Sequence, residues 1–389
     1  MPDTAEFHLP GFWRAGALAQ LGFLDAIHSS GMNISLILSC QPMAYHAVSR
    51  RWICPGTKIK LYENVHITLV PAINLFAIRE IMRWFFSYAY LAVWSLRNIR
   101  HRRVVVTYNI SYPPILPLRL ITWLFRGKLC SILYDVVPPD NFDAGWLRNI
   151  IIHGLIKNAG LKCIPWLDGR IVITDELAQA FAPSKPFLRV DGGVTDLVTN
   201  RLFELKPSSK DDLVMMFAGS LYDINHIQLI LEMFAQHPDA KMKLWVAGDG
   251  VLRDTVIEAS RIDTRVTYYG ALNHDKLFEL YQKTDIILCL RDTSDSTMKY
   301  HFPSKVLETL LVGKMVMTTP TTHLKKDYGH LCYVLEDETP EGCWAMVQQI
   351  WVLTPDERCE KGKKSRDFML KNRTWKALGP SIKSYLESL

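Results

Sequence analysis

The chain has 389 residues, room for two domains of ordinary size. Hydrophobic residues make up 49% and charged residues 22%, which excludes a disordered chain. The formal net charge of +6 is too mild for a dedicated nucleic-acid binder, so no nucleic-acid partner is expected. The surplus is uneven: residues 1–195 carry 20 Lys/Arg against 12 Asp/Glu, and the remainder carries 25 against 27. Only the front half is set to meet something anionic.

The eight cysteines are scattered, with no C-x-x-C pair. They read as small core residues of a reducing compartment. Met1 to Pro10 is polar, interrupted by Asp3 and Glu6, and no signal peptide is expected. The longest uncharged helical stretch, Trp84 to Leu96, is bracketed by Arg83 and Arg97. It falls short of the roughly 18 residues that a membrane span needs.

Short β-rich runs alternate with helical stretches, which predicts α/β architecture with parallel sheets. In the front half the predicted strands are Asn33–Ser39, Val65–Val70, Arg103–Thr107, Leu129–Asp135, Gly169–Thr174 and Phe187–Val190. Helices are predicted over Arg14–Ser29, Ile78–Ile99, Ile115–Phe125, Trp146–Leu161 and Asp175–Phe181. The rear half repeats the rhythm with strands Leu213–Ala218, Lys243–Ala247, Val266–Tyr269, Asp285–Leu290, Met315–Thr318 and Cys332–Leu335. Its helices are Ile224–Gln236, Val251–Arg261, His274–Lys283, Ser304–Leu311, Glu341–Trp351 and Pro355–Leu370. A polar stretch ending at Asp212 has linker composition. The expected organisation is a doubly wound domain over 1–195, a linker over 196–212, a second doubly wound domain over 213–370 and a last crossover helix over 371–389. Ligands of such folds sit beyond the carboxyl ends of the strands, so both domains are expected to face a shared cleft. A buried first strand is missing: either Thr4–Leu9 is a poor strand, or the chain starts just past it.

The segment from Asp285 to Pro320 is the most informative. A buried strand ends in a polar loop, and Phe302-Pro303-Ser304-Lys305 then opens a helix that contains Glu308 and stops at Gly313. A helix start offers free N–H groups and partial positive charge to a phosphate, and Lys305 adds a full charge. Glu308 lies one turn on, on the same face, where a carboxylate accepts hydrogen bonds from both hydroxyls of a ribose. Spacing alone is met at least as well by a capped helix with a surface Lys and Glu.

The run Phe302-Pro-Ser-Lys-Val-Leu-Glu-Thr-Leu-Leu-Val-Gly-Lys-Met-Val-Met317 resembles the sugar-nucleotide signature of GT-B glycosyltransferases, especially the family-four-like group. Phe217-Ala-Gly-Ser-Leu221, Trp245-Val-Ala-Gly-Asp-Gly250 and Val266-Thr-Tyr-Tyr-Gly270 agree with it in order, covering about residues 213–320. The front half resembles the acceptor domain more loosely, through Gly11-Phe-Trp-Arg14, Tyr134-Asp-Val-Val-Pro138 and Asp168-Gly-Arg-Ile-Val-Ile-Thr-Asp175.

The resemblance implies a GT-B fold, with Glu308 on the donor ribose and Ser304 and Lys305 beside the diphosphate. Gly219 and Ser220 belong to the first donor loop, and Gly248 and Gly250 would let backbone approach the nucleotide. Two departures stand out. The Arg and Lys that many members carry after the first strand of this domain are Ser220 and Asn225 here, which leaves Lys305, Arg291 and Lys299 to supply charge. The first glutamate of the usual pair is Tyr300. Gly11, Arg14 and His8 are the expected acceptor-side residues. Asp135 is the candidate general base, or else a donor-sugar ligand or loop cap, with Asp140 and Asp143 behind it. No metal and no cofactor beyond the nucleotide-sugar co-substrate is expected.

Ile81, Trp84, Phe85, Tyr88, Leu91, Ala92 and Ser95 repeat at helical spacing, flanked by Arg79, Arg83, Arg97, Arg100, Arg102 and Arg103. They fit an amphipathic core helix, or docking on an anionic bilayer that Trp123, Arg126, Arg119 and Lys128 extend. The expectation is a glycosyltransferase acting on a lipid-linked glycan acceptor for a bacterial surface polysaccharide, peripheral at the cytoplasmic membrane face. Its alternatives are a catalytically inactive GT-B partner subunit and a nucleotide-sugar epimerase or hydrolase.

Overall fold

Alternation decides the first sheet. In Thr57–Tyr62 the two lysines face water and Leu61 is buried, and the run pairs antiparallel with Val65–Val70 across the tight turn at Glu63 and Asn64. This comes from a computed structural model, which describes residues 14–40, 53–73, 75–110, 115–134, 158–207 and 212–389. Contacts divide the chain into two compact units, Met1–Val190 with Leu378–Leu389, and Asp191–Ala377.

In the first unit the strands are β1 (Ile37–Cys40), β2 (Ile53–Cys54), β3 (Thr57–Tyr62), β4 (Val65–Val70), β5 (Ala72–Ile73), β6 (Val104–Tyr108), β7 (Lys128–Leu133), β8 (Gly169–Val172) and β9 (Phe187–Arg189). They form a sheet of order β1-β4-β3, a β2-β5 pair, and a wholly parallel sheet of order β6-β7-β8-β9. The antiparallel β3–β4 and β2–β5 pairings correct the expectation of parallel sheets throughout. A two-residue turn without Gly or Pro gave no punctuation to separate β3 from β4. The helices are α1 (Arg14–Ser29), α2 (Phe76–Arg97), α3 (Ile115–Leu124), α4 (Asn158–Cys163) and α5 (Asp175–Phe181). Most of the predicted helix Trp146–Leu161 lies outside the described residues.

Arg170 is fully buried on β8 and donates to the carbonyls of Ala178, Ala182 and Lys185, so it closes the carboxyl end of α5 from inside. Thr174 caps the other end by accepting from Leu177 N, and Arg189 pairs with Asp175 at 2.6 Å. The chain end packs into this unit: Gly379 lies against the Ala26 carbonyl, where a Cβ would stand 2.6 Å away. Tyr385 Oη accepts from Arg170 N at 2.8 Å and donates to Pro186 O.

The second unit holds β10 (Leu213–Ala218), β11 (Met242–Ala247), β12 (Val266–Tyr268), β13 (Ile286–Cys289), β14 (Met315–Thr318) and β15 (Tyr333–Val334) in one six-stranded parallel sheet. Its spatial order is β12-β11-β10-β13-β14-β15. That is the doubly wound order, with its switch point between β10 and β13. The strands are near-continuous apolar runs because both faces are covered. The helices are α6 (Asp196–Thr199), α7 (Ile227–Gln236), α8 (Arg253–Ile262), α9 (His274–Gln282), α10 (Lys305–Val312), α11 (Leu324–Tyr328), α12 (Pro340–Trp351) and α13 (Pro355–Asn372), and the last helix, α14 (Trp375–Ser388), belongs to the first unit from Leu378 on. The capping box of Thr354 and Glu357 starts α13. Gly313, at φ 79°, ends α10 in the left-handed conformation expected of it.

Cys130, Cys163, Cys289 and Cys343 are buried free thiols, in keeping with the core reading, and Cys332 and Cys359 are free and half-buried.

Candidate functional site

At the switch point the loop after β10, with Gly219 and Ser220, lies beside the loop after β13, which contains Arg291. Open doubly wound sheets bind ligands in this crevice. The loop after β10 is zipped to the loop after β11 by backbone bonds, Gly219 N to Ala247 O and Leu221 N to Asp249 O, both 2.9 Å. Gly248 sits at φ 142°, and a Cβ there would fall 1.7 Å from Gly219 O. A Cβ on Gly250 would fall 2.4 Å from Leu221 O. The closeness that requires these glycines is therefore between two neighbouring loops.

Lys305 opens α10 as a half-buried cation, with its Nζ 3.6 Å from where a Cβ of Gly219 would stand. Burial pushes its pKa below the ordinary lysine value, and nearby Arg291 pushes the same way. Arg291 is likewise half-buried, and burial lowers its pKa. Its backbone is fixed by Thr319, whose Oγ1 accepts from Arg291 N at 2.9 Å and donates to Arg291 O at 2.7 Å. Among the described residues no carboxylate forms an ion pair with either cation. Two partly desolvated cations beside a helix start make a site for an anion.

Glu308 lies in the first turn of α10, its side chain partly exposed, with Oε1 3.9 Å from His274 Nδ1 at the start of α9. Ser304, the residue before α10, is exposed and makes no capping bond with its side chain. The structure thus brings Lys305, Ser304, Glu308, Arg291 and Gly219 to the carboxyl end of the sheet. Ser220 is exposed and tied to Asn225, whose Nδ2 donates to Ser220 O at 2.6 Å and to its Oγ at 3.1 Å. Lys299 and Tyr300 lie on a short 3-10 turn, with Lys299 exposed and its Nζ 5.1 Å from the Tyr300 ring centre. Lys299 is engaged with that ring, and the cation neighbouring Lys305 is Arg291.

A loop that the sequence did not single out adjoins this end. After β14, Thr322 adopts φ 48°, a strained conformation for a β-branched residue. Thr321 is buried and its hydroxyl has no partner. Next to it, His323 stacks on Phe302 with ring centres 5.0 Å apart and lies 3.0 Å from Asp191. Asp191 in turn accepts from Tyr328 at 2.6 Å, and Arg373 donates to the same Tyr328 oxygen. Charged residues far apart in sequence give no local pattern by which this cluster shows. Two trios, Asp191–His323–Asp327 and His226–Asp292–Glu338, have metal-ligand chemistry. Glu338 already pairs with His226 at 2.5 Å and accepts from Thr293 N at 3.1 Å.

On the first unit, Arg14 begins α1, while His8, Gly11, Asp135, Asp140 and Asp143 lie outside the described residues. The candidate membrane residues separate. Arg97, Arg100, Trp123 and Arg126 are exposed, whereas Trp84 and Arg83 are half-buried and Arg103 is buried. Arg103 is therefore not part of a basic surface. Asp168 accepts from Arg119 at 2.7 Å and from Leu129 N at 3.0 Å, with Lys128 at 3.4 Å, so it orders the start of β7.

Residues 212–351 match the family described as glycosyl transferases group 1. Among solved structures, sucrose-phosphate synthase from Thermosynechococcus elongatus is similar over 97% of this chain and 93% of its own, at TM-score 0.61 and 12% identity. Anabaena HepE in complex with UDP is similar over 77% and 82%, at 0.56 and 14% identity. A glycosyltransferase from Rickettsia africae follows over 78% and 80%, at 0.54 and 10% identity. A search of curated proteins found no match. These likenesses fix the fold, two Rossmann-like units of the GT-B kind.

Proposed function

We propose that this GT-B chain, whose residues 212–351 form a group 1 glycosyltransferase domain, moves a sugar from a nucleotide-diphosphate sugar to a hydroxyl of a lipid-linked glycan acceptor. The observation that carries the reading is the unpaired cation couple, Lys305 and Arg291, at the switch point of the second unit. HepE binds UDP and UDP-glucose on a similar fold, which supports the same donor class here.

In the reaction an acceptor hydroxyl attacks the anomeric carbon, and the bond from that carbon to the β-phosphate oxygen breaks. The electron pair leaves with the nucleoside diphosphate, whose growing charge is met by Lys305, Arg291 and the amino end of α10. Glu308 holds the donor ribose, with Ser304 beside the phosphates. The hydroxyl proton passes to a carboxylate of the first unit, for which Asp135 is the candidate. Acceptor contacts fall to His8, Gly11 and Arg14. The lipid acceptor places the enzyme on the cytoplasmic face of the membrane, in assembly of a surface polysaccharide. No described helix is long and apolar enough to cross a membrane.

The test is donor kinetics. Glu308→Ala is expected to raise the donor KM by roughly 30–150-fold, the equivalent of about 2–3 kcal/mol for a charged hydrogen bond, with folding intact. An unchanged donor affinity overturns the site.

A further inference from the structure

Two helices of the first unit expose apolar side chains that a core helix would bury. Along α2 the buried face includes Ser87 and Ser95, while Ile78, Ile81, Phe85 and Leu96 form an exposed stripe at intervals that keep them on one side of the helix. Phe85 is 65% exposed and Leu96 60%. α3 is apolar on both sides: Ile115 and Leu118 are buried, while Leu116, Leu120, Trp123 and Leu124 share an exposed side, with Trp123 at 66% and Leu124 at 64% exposure.

The two helices are locked together at their carboxyl ends. Arg103, buried just before β6, donates to Ser95 O at 2.5 Å, to Ile99 O at 3.4 Å and to Phe125 O. One guanidinium thus gathers the last carbonyls of α2 and α3 and brings Leu96, Ile99, Trp123 and Leu124 around a single point. Exposed Arg97, Arg100, Arg102 and Arg126 stand beside them.

We infer that α2 and α3 form a platform that lies in the interface of an anionic bilayer, with Phe85, Leu96, Trp123 and Leu124 inserted among the acyl chains and the arginines on lipid phosphates. Charge selects the occupant. Arg97, Arg100, Arg102 and Arg126 are exposed here, Arg103 is buried and Arg119 and Lys128 pair with Asp168, while residues 76–128 hold a single acid, Glu80. A second copy of this face would meet it with the same sign, whereas anionic headgroups complement it. The inference rests on the reading of a lipid-linked acceptor, for which it supplies the surface and the orientation.

The experiment is co-sedimentation of the full chain with phosphatidylglycerol–phosphatidylcholine vesicles and with phosphatidylcholine vesicles. The wild-type chain is expected to partition onto the first and to be released by salt. Phe85→Glu combined with Trp123→Glu should lower partitioning roughly tenfold or more. Arg97→Ala with Arg100→Ala and Arg126→Ala, which leaves the apolar stripe intact, should abolish the preference for phosphatidylglycerol. Melting temperature and stabilisation by a panel of UDP-, GDP-, ADP- and dTDP-sugars are measured on the same samples. Unchanged partitioning of the Phe85→Glu/Trp123→Glu variant overturns the platform. So does a wild-type dimer that this variant disperses. Failure of every nucleotide sugar to stabilise a chain that still binds vesicles overturns the donor reading and leaves the platform standing.

Discussion

Lys305, proposed above to meet the donor diphosphate, is costly to the free protein. A half-buried ammonium with no carboxylate in ion-pair contact is poorly solvated, and burial lowers its pKa. Lys305→Met is therefore expected to raise the stability of the free chain by about 1 kcal/mol while it removes donor affinity. The pH dependence has a definite sign. The folded-state pKa lies below the unfolded value of about 10.4, so between the two the unfolded chain binds more protons and stability rises with pH. Denaturant titrations along that window should show this rise in the wild type and its loss in Lys305→Met. A saturating nucleotide sugar should cancel it by keeping Lys305 protonated. Glu308 and Ser304 stand out in sequence because the proline-led helix start and its spacing are local. The use made of Gly248 does not, since the Gly219 carbonyl that excludes a side chain there comes from another loop.

At the scale of elements, helix and strand periods were largely legible. Arg14–Ser29, Asp175–Phe181, Leu213–Ala218 and Met315–Thr318 occupy the ranges that their apolar pattern predicts. What a period cannot say is which side of a helix is inside. The stripe through Ile81 and Phe85 satisfies a core helix as well as a surface one, and only packing decided that Leu91 and Ser95 are covered and Phe85 is not. Arg103 reads from sequence as one more basic residue in a run, yet it serves as the joint of α2 and α3. Arg103→Ala should destabilise the first unit by about 2–4 kcal/mol in urea, because it leaves several buried carbonyls unpaired. Arg103→Lys should recover only a small part, since an ammonium lacks the planar fork that reaches carbonyls in two helices.

Across the whole molecule, the two proposed roles divide between the two units. The second unit has the doubly wound order and the cation couple, while the first carries the exposed apolar sides of α2 and α3. Addition of UDP-glucose should slow hydrogen exchange in residues 217–222, 246–252, 290–293 and 302–309, and leave α2 and α3 unchanged. Protection spread evenly over both units would contradict this division. A ligand held at 100 times its Kd adds about 2.7 kcal/mol, enough to read in these segments.

The sequence by itself determined the α/β class, the division into a basic front and a near-neutral rear, and the run from Phe302 to Gly313 with its helix start and carboxylate. Each of these is written in composition or in neighbours within a few residues. The tertiary structure alone decided that Arg291 joins Lys305, that Asp191, His323, Tyr328 and Arg373 meet, and that Arg103 is buried while Phe85 and Trp123 face outward. Those facts depend on strand order and on which faces are covered, and pairings between distant segments leave no periodic trace along the chain.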